Sequence, residues 1–127
     1  MWGRRKKGEA RMSSTKVVHH GRSFMSKLEA ATYSILLSRE QAGEIKDIKC
    51  QVRVYYFKNP DIYSILDFSF IDCATDKLCY AESKGYPSES WKIKQKLYIH
   101  LIPHKLEMWG GSYTRPRLTE VINNHSS

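Results

Sequence analysis

The chain has no long apolar run. Within its 127 residues, no stretch approaches the roughly 18 consecutive apolar residues that a membrane-spanning helix needs. The basic N-terminal segment is not followed by the apolar region of a secretory signal peptide. We therefore predict a protein without a membrane partner. The length suits one small domain that is built around a single core.

Cysteine is also scarce. The three cysteines, Cys50, Cys73 and Cys79, are odd in number and have no Cys-x-x-Cys spacing. This pattern argues against a disulfide framework, and the histidines do not complete a zinc-binding constellation. Reduced thiols in a cytoplasmic protein fit the sequence best.

Acidic residues are rare at the start of the chain. The first 22 residues contain seven basic side chains and one acid, Glu9, so they carry +6 of the formal net charge of +8. A basic arm on a nearly balanced domain indicates a polyanionic partner, and nucleic acid is the usual one. A disordered leader that keeps the protein in solution is the alternative. We assign residues 1–15 to a flexible arm, 16–110 to the folded domain and 111–127 to a C-terminal tail.

Hydrophobic periodicity predicts the order of the elements. Ser26 and Glu29 match a capping box, and the apolar residues behind them recur at helical spacing: Leu28, Ala31, Ile35 and Leu36. From Ile48 the apolar period changes to two, which is typical of strands. The predicted elements are a short strand and turn over 16–24, a helix over 27–42, strands over 48–56, 63–71 and 78–84, a helix over 88–100, a short strand over 106–109, and one helical turn over 118–122. This order indicates an α/β sandwich with a mixed sheet.

Charged residues interrupt two of the predicted strands. Asp67 lies between Leu66 and Phe68, and the next strand contains Glu82 and Lys84. Charges in apolar runs are costly unless they are paired or bind a metal. Residues two apart share a strand face, so Glu82 and Lys84 are expected to lie side by side. Two carboxylates and an ammonium group on neighbouring strands are the smallest set of functional groups that metal-assisted phosphodiester cleavage needs.

Each of these residues also has a structural interpretation. Asp67 could lie on a solvated face and pair with Lys84 or Arg53. Glu29 has a sufficient role as the third residue of a capping box, but it could equally reach a metal that Asp67 holds. Gln51 is either a neighbour of the site or simply exposed. Acid-x-Lys patterns are common in a chain that is 27% charged, and this chain has three of them.

Further motifs accompany the candidate site. They are Gly21-Arg22-Ser23-Phe24, Ser26-Lys27-x-Glu29-Ala30, Gln41-Ala42-Gly43-Glu44-Ile45, Asp47-Ile48, Gln51, Asp67-Phe68, Glu82-x-Lys84-Gly85 and the lysine-rich Trp91-Lys92-Ile93-Lys94-Gln95-Lys96-Leu97. Together they resemble a small family of phage-encoded, nuclease-like proteins over roughly residues 16–109. That family is similar to the PD-(D/E)xK nuclease superfamily, so we expect a restriction-endonuclease-like αβββαβ core whose mixed sheet is flanked by helices. The chain departs from the superfamily pattern at Leu66, where the proline that gives the superfamily its name would lie.

The resemblance implies a metal-dependent DNA endonuclease. It implies that Asp67 and Glu82 bind Mg²⁺ or Mn²⁺, that Glu29 is an accessory metal-binding acid, and that Lys84 acts at the attacking water. All four residues would then be catalytic. The residues expected to contact DNA are Arg4, Arg5, Lys6, Lys7, Lys92, Lys94 and Lys96. Trp91 is expected either to stack on a base or to belong to the core.

The sequence contains no motif that reads bases. We therefore expect structure-selective cutting of branched or recombining DNA, as by a Holliday junction resolvase, in phage DNA metabolism. Such an enzyme needs a homodimer to place two cuts, and it would work in the cytoplasm of the host cell. The alternative is a protein on the same fold that binds DNA, or another phage protein, without catalysis.

Overall fold

The computed structural model describes residues 17–19, 22–24, 26–84 and 88–124. Its elements follow the predicted order from the first helix to the sixth strand, and a seventh strand is added at the end. The elements are β1 (Val17–His19), β2 (Arg22–Phe24), α1 (Lys27–Gln41), β3 (Ile45–Lys58), β4 (Asp61–Asp72), β5 (Lys77–Ser83), α2 (Glu89–Leu101), β6 (Lys105–Ser112) and β7 (Arg115–Ile122).

The main sheet has five strands in the order β3-β4-β5-β6-β7. Strands β5 and β6 are parallel, and the other neighbouring pairs are antiparallel. Parallel neighbours require a crossover connection, and α2 supplies it. The predicted α/β class with a mixed sheet is therefore confirmed. Strands β1 and β2 form a separate antiparallel pair ahead of α1.

The two helices pack on opposite faces of the sheet. Neighbouring residues of β6 show this, because Met108 belongs to the core cluster around α2 whereas Trp109 packs against the cluster around α1. Successive side chains of a strand point to opposite faces, so the two clusters are separated by the sheet. In the second cluster, Trp91 and Tyr98 of α2 are both buried, so Trp91 belongs to the core.

The buried side of α1 differs from the predicted one. The fully buried positions are Glu29, Ala30, Thr32, Tyr33 and Leu36, whereas Leu28, Ala31 and Ile35 are only half-buried. Tyr33 causes this rotation, because its ring stacks on Phe68 at 5.8 Å and contacts Phe24 at 5.1 Å. Aromatic packing against the sheet therefore decides which side of the helix faces the core.

The helical turn predicted over residues 118–122 is wrong. This segment belongs to β7, which pairs antiparallel with β6 from Arg115 to Ile122. Edge strands such as β7 are polar along most of their length, so their alternation is hard to see in the sequence. The sheet therefore extends beyond residue 110, into the segment that was predicted to be a tail.

No helix in the described part of the chain is both long and apolar enough to cross a membrane.

Candidate functional site

Strands β4 and β5 separate at the predicted acidic residues. Their pairing ends where Phe68 faces Ala81. Beyond that point β4 continues alongside β3, and β5 continues alongside β6 up to Ser83. The two strands therefore form a fork at Asp67 and Glu82. Backbone N–H groups at such a fork lose their ladder partners and need others.

The two carboxylates supply these partners. The Asp67 N–H donates to Glu82 Oε1 at 2.9 Å, and the Ser83 N–H donates to Asp67 Oδ2 at 2.9 Å. The Ser83 hydroxyl donates to the same Oδ2 atom at 2.6 Å. Each carboxylate thus binds the backbone of the opposite strand, which holds both side chains in the fork. The predicted convergence of Asp67 and Glu82 is present in the structure.

Lys84 completes this group. Its Nζ lies 3.1 Å from Glu82 Oε2 and 5.2 Å from the centroid of the Trp91 ring. Its backbone N–H donates to the Trp109 carbonyl at 2.9 Å. The alternative partners for Asp67 are not used, because Lys84 pairs with Glu82 and Arg53 lies over the Tyr63 ring. Asp67, Glu82 and Lys84 therefore form one charged cluster, which we call the fork site.

The surroundings of the fork site make ionisation of the Glu82 carboxyl unfavourable. Glu82 is only 4% exposed. Burial raises the pKa of its carboxyl to about 8, and the charge on Asp67 adds to the effect, whereas Lys84 opposes it. A second carboxylate beside a buried one disfavours the ionisation of both groups at once. A bound cation would remove that penalty, so the site has the electrostatics of a cation-binding position.

Glu29 lies in the first turn of α1, on the side of the helix that is buried. The Ser26 hydroxyl accepts the Glu29 N–H at 3.0 Å, so Ser26 caps the helix as predicted. The Glu29 side chain is 4% exposed, and its Oε2 accepts a hydrogen bond from Gln51 Nε2 at 2.7 Å. The structure therefore directs this carboxylate towards β3, and Gln51 is its partner there.

Gln51 connects Glu29 with the fork site through the register of the sheet. Cys50 pairs with Phe68 and Val52 with Leu66, so Gln51 lies opposite Asp67. Gln51 has a φ of 55°, in the left-handed region. A residue other than glycine in that region costs about 1–3 kcal/mol and is retained mainly where the surroundings enforce it, often at functional sites.

The sheet changes its buried face at the same point. Cys50 and Phe68 pack in the cluster around α1, whereas Val52 and Leu66 pack in the cluster around α2. Residues two apart in a regular strand would share a face, so the alternation of both strands is broken between these positions. This irregularity surrounds Asp67 and explains why its side chain reaches the neighbouring strand.

The donor atoms fit a hard divalent cation in part. Among residues 17–19, 22–24, 26–84 and 88–124, no three His, Cys, Asp or Glu side chains are grouped closely enough to hold a metal ion. Glu29 is therefore not brought into one ligand group with Asp67 and Glu82. Mg²⁺ is commonly bound by one or two carboxylates, with waters and substrate phosphates as the other ligands. No described group hydrogen-bonds to Asp67 Oδ1, so this atom is available as a ligand.

The predicted DNA contacts divide into two groups. Arg4, Arg5, Lys6 and Lys7 lie outside the described residues. Lys92 and Lys96 are exposed on α2, whereas Lys94 is half-buried and lines a pocket with Tyr63. Residues four apart share a helix face and residues two apart do not. Lys92 and Lys96 therefore form one basic row, and Lys94 points elsewhere.

Two pockets accompany these features. One of about 360 Å³ is lined by Glu29, Gln51, Cys50 and Phe24, with Ser23 at its edge. A larger one of about 840 Å³ lies around Cys79 and His104 and is lined by none of the predicted site residues. The geometry of the charged groups, and not pocket size, therefore identifies the candidate site.

Two structurally important polar residues were not predicted. Ser83 holds Asp67, as described above. Glu107 is 5% exposed and pairs with Arg39 Nη1 of α1 at 2.8 Å. Glu107 lies inside an apolar strand, so the pattern that indicated Asp67 and Glu82 was also present there.

Comparisons with known proteins identified no relative. No family model matches the chain, and neither the curated proteins nor the solved structures contain a match. The functional interpretation therefore depends on the chemistry of the site.

Proposed function

We propose that this protein is a divalent-metal-dependent nuclease that hydrolyses DNA phosphodiester bonds at the fork site. The observation that carries the proposal is the grouping of Asp67, Glu82 and Lys84, in which a buried carboxyl with a raised pKa lies beside a second carboxylate. A structural ion pair has no need of the second carboxylate. A cation site needs it, because two negative charges bind a divalent ion better than one does.

Each residue has a distinct role in the proposed reaction. Asp67 Oδ1 and Glu82 would hold a Mg²⁺ or Mn²⁺ ion, which would supply Lewis-acid chemistry at the phosphodiester and lower the pKa of a bound water. Ser83 fixes the orientation of the Asp67 carboxylate through Oδ2. Lys84 Nζ orients the attacking water and donates to the phosphate oxygens, whose negative charge increases in the transition state. The water oxygen bonds to phosphorus and its proton passes to solvent. The bond between phosphorus and the leaving sugar oxygen breaks, and that oxygen takes up a proton from solvent.

Glu29 has a secondary role in this proposal. Its hydrogen bond with Gln51 orients the residue that faces Asp67. Glu29 thereby supports the fork site from the α1 side. Glu29 can be a metal ligand only if it approaches Asp67 when the cation and DNA bind. Its role as an accessory metal-binding acid therefore stays a prediction.

Branched or recombining DNA is the substrate that we propose. Lys92 and Lys96 offer a basic row for phosphate contacts, which are independent of base sequence. We propose phage DNA metabolism in the host cytoplasm as the setting. A homodimer is expected if the enzyme resolves four-way junctions, because two strands must then be cut.

A protein that binds DNA without cutting it is the second candidate. One observation favours it: Glu82 Oε1 and Oε2 both have partners within the protein, at 2.9 Å and 3.1 Å. In that case affinity would be independent of metal and would fall steeply with salt.

The test is a cleavage assay on linear duplex, single-stranded, flap and four-way DNA. Each substrate is incubated with Mg²⁺, with Mn²⁺ and with EDTA. We expect metal-dependent cleavage that Lys84→Ala abolishes. Lys46→Ala is the matched control, because Lys46 is an exposed lysine that pairs with Asp76 at the other end of β4. If neither metal supports cleavage of any substrate, the nuclease proposal is wrong. Cleavage that survives in Lys84→Ala would exclude the fork site as its source.

A further inference from the structure

The hairpin of β6 and β7 begins beside the fork site. Ser83 pairs with Trp109 in the parallel ladder, and the Lys84 N–H donates to the Trp109 carbonyl at 2.9 Å. Strand β6 then continues for three residues to Ser112. At about 3.3 Å per residue, these residues carry the strand about 10 Å beyond the pair of Ser83 and Trp109. The hairpin therefore projects past the fork site at the end of the sheet where the cluster lies.

Two glycines allow close approaches in the hairpin, one to Lys84 and one between its two strands. A Cβ atom at Gly110 would lie 2.9 Å from Thr119 Cγ2 and 3.4 Å from the Lys84 carbonyl oxygen. Gly111 has a φ of 84°, and a Cβ there would lie 2.7 Å from the Arg115 carbonyl oxygen. Side chains at these positions would push the two strands apart. The close approach therefore fixes the position of the hairpin tip relative to the fork site.

The hairpin tip is basic and aromatic. Residues 111–118 contain two arginines and no acid. Arg115 and Arg117 are exposed, and neither forms an ion pair within the described residues. Tyr113 is 51% exposed, and Lys27 Nζ lies 4.8 Å from its ring centroid. Lys27 belongs to the first turn of α1, two residues before Glu29, so the tip reaches towards that helix.

We propose that this hairpin binds the DNA strand next to the bond that is cut. Arg115 and Arg117 contact phosphates, and Tyr113 stacks on an unpaired base through the ring face that Lys27 leaves open. A distance of about 10 Å corresponds to about three nucleotides of a duplex strand. The inference rests on the proposed function and narrows its substrate class to DNA with unpaired nucleotides about three positions from the cut.

The chemistry of the tip favours a nucleic acid over a solvated turn. Stacking on an aromatic ring tolerates any base, because every base has a flat π face. Arginines that form no ion pair and lie around such a ring supply the positive charge that binds successive phosphates.

The first experiment measures DNA binding in EDTA, where no cleavage takes place. Fluorescence anisotropy measures how tightly the protein binds a labelled single-stranded oligonucleotide and a labelled blunt duplex. We expect Tyr113→Ala to weaken single-strand binding about tenfold and duplex binding less than twofold, because one lost base stack costs about 1–3 kcal/mol. Tyr113→Phe is the matched control and should bind as the unaltered protein does.

The second experiment separates the arginines from general charge. Arg115→Ala with Arg117→Ala should weaken binding to both DNA forms. It should also lower the single-strand salt slope by about 1.4, at about 0.7 per phosphate contact. The double variant Lys46→Ala with Lys58→Ala removes the same charge from two exposed positions elsewhere and should change the slope far less.

These outcomes are separate from the test of cleavage. If Tyr113→Ala binds single strands as tightly as Tyr113→Phe, or if the arginine and lysine double variants behave alike, the inference about the hairpin is wrong. If the hairpin variants lose binding but the unaltered protein cuts no DNA with either metal, the hairpin is a DNA-binding element, and both the nuclease proposal and the position of the hairpin next to a cut bond are wrong.

Discussion

Two buried glutamates on neighbouring strands have opposite surroundings. Glu82 on β5 and Glu107 on β6 are 4% and 5% exposed. Glu107 is surrounded by donors, since Arg39 lies at 2.8 Å and the Trp109 indole N–H donates to it at 3.2 Å. Glu82 has Lys84 at 3.1 Å but also has the carboxylate of Asp67 beside it. Burial alone therefore does not distinguish these two carboxylates. The sign of the neighbouring charges does.

The largest expected difference between the two regions is in activity. Asp67→Asn should lower DNA cleavage by about 10²–10³-fold, because it removes a negative ligand of the metal ion that would stabilise charge at the reacting phosphate. Glu107→Gln should keep most of the activity at a temperature where it is folded. Single-turnover cleavage with saturating Mg²⁺ measures both. Equal losses of cleavage in the two variants would show that the different surroundings of Glu82 and Glu107 have no bearing on activity.

The next difference is in stability. Arg39→Met should lower the free energy of unfolding by about 2 kcal/mol, because it leaves the buried Glu107 with weaker partners. Asp67→Asn should change it less, since the amide oxygen can still accept from the Ser83 N–H. Urea unfolding followed by tryptophan fluorescence gives both values. If Arg39→Met leaves the free energy of unfolding unchanged, Lys105 and Trp109 satisfy Glu107 on their own.

A pH dependence should come from Glu82 in the metal-free protein. Its pKa is about 8 in the folded state and about 4.5 without the surrounding structure. Between these values the folded chain binds a proton that the unfolded chain does not, so stability falls as pH rises through this window. The slope from this group approaches about 1.4 kcal/mol per pH unit. Urea unfolding in EDTA between pH 5 and 8 should show this fall in the unaltered protein and a flatter profile in Glu82→Gln. Identical profiles would contradict the raised pKa.

The smallest expected effect is that of Ser83. Ser83→Ala removes the hydroxyl that donates to Asp67 Oδ2 at 2.6 Å but keeps the backbone donor at 2.9 Å. One such hydrogen bond contributes about 1 kcal/mol, so we expect Mg²⁺ affinity to fall about fivefold by calorimetry, with a similar loss of cleavage. Ser83→Thr keeps a hydroxyl and should restore most of both. Failure of threonine to restore them would mean that the serine acts through packing alone.

Sequence reasoning succeeded where one local signal was sufficient. The change of apolar period at Ile48 indicated β3, which begins three residues earlier at Ile45, and Ser26 marked the start of α1. Asp67 and Glu82 were found because charges stood out in apolar runs. The same signal at Glu107 was overlooked, and β7 was missed because an edge strand needs no apolar alternation.

Long-range packing decided what local patterns could not. The buried side of α1 depends on where Tyr33 meets Phe68. The fork forms because β4 pairs only with β3, and β5 only with β6, beyond the pair of Phe68 and Ala81. The contact of Lys27 with Tyr113 joins residues far apart in the chain. None of these choices has a local sequence signature.

The sequence by itself determined the class of the fold, the order of its main elements and the residues whose charges needed an explanation. Periodicity and the cost of burying charge are local properties, and they can be read from neighbouring residues. Only the tertiary structure decided that Glu82 faces a carboxylate while Glu107 faces a guanidinium. The physical reason is that electrostatic surroundings depend on distances across strands and helices, which chain neighbours do not specify.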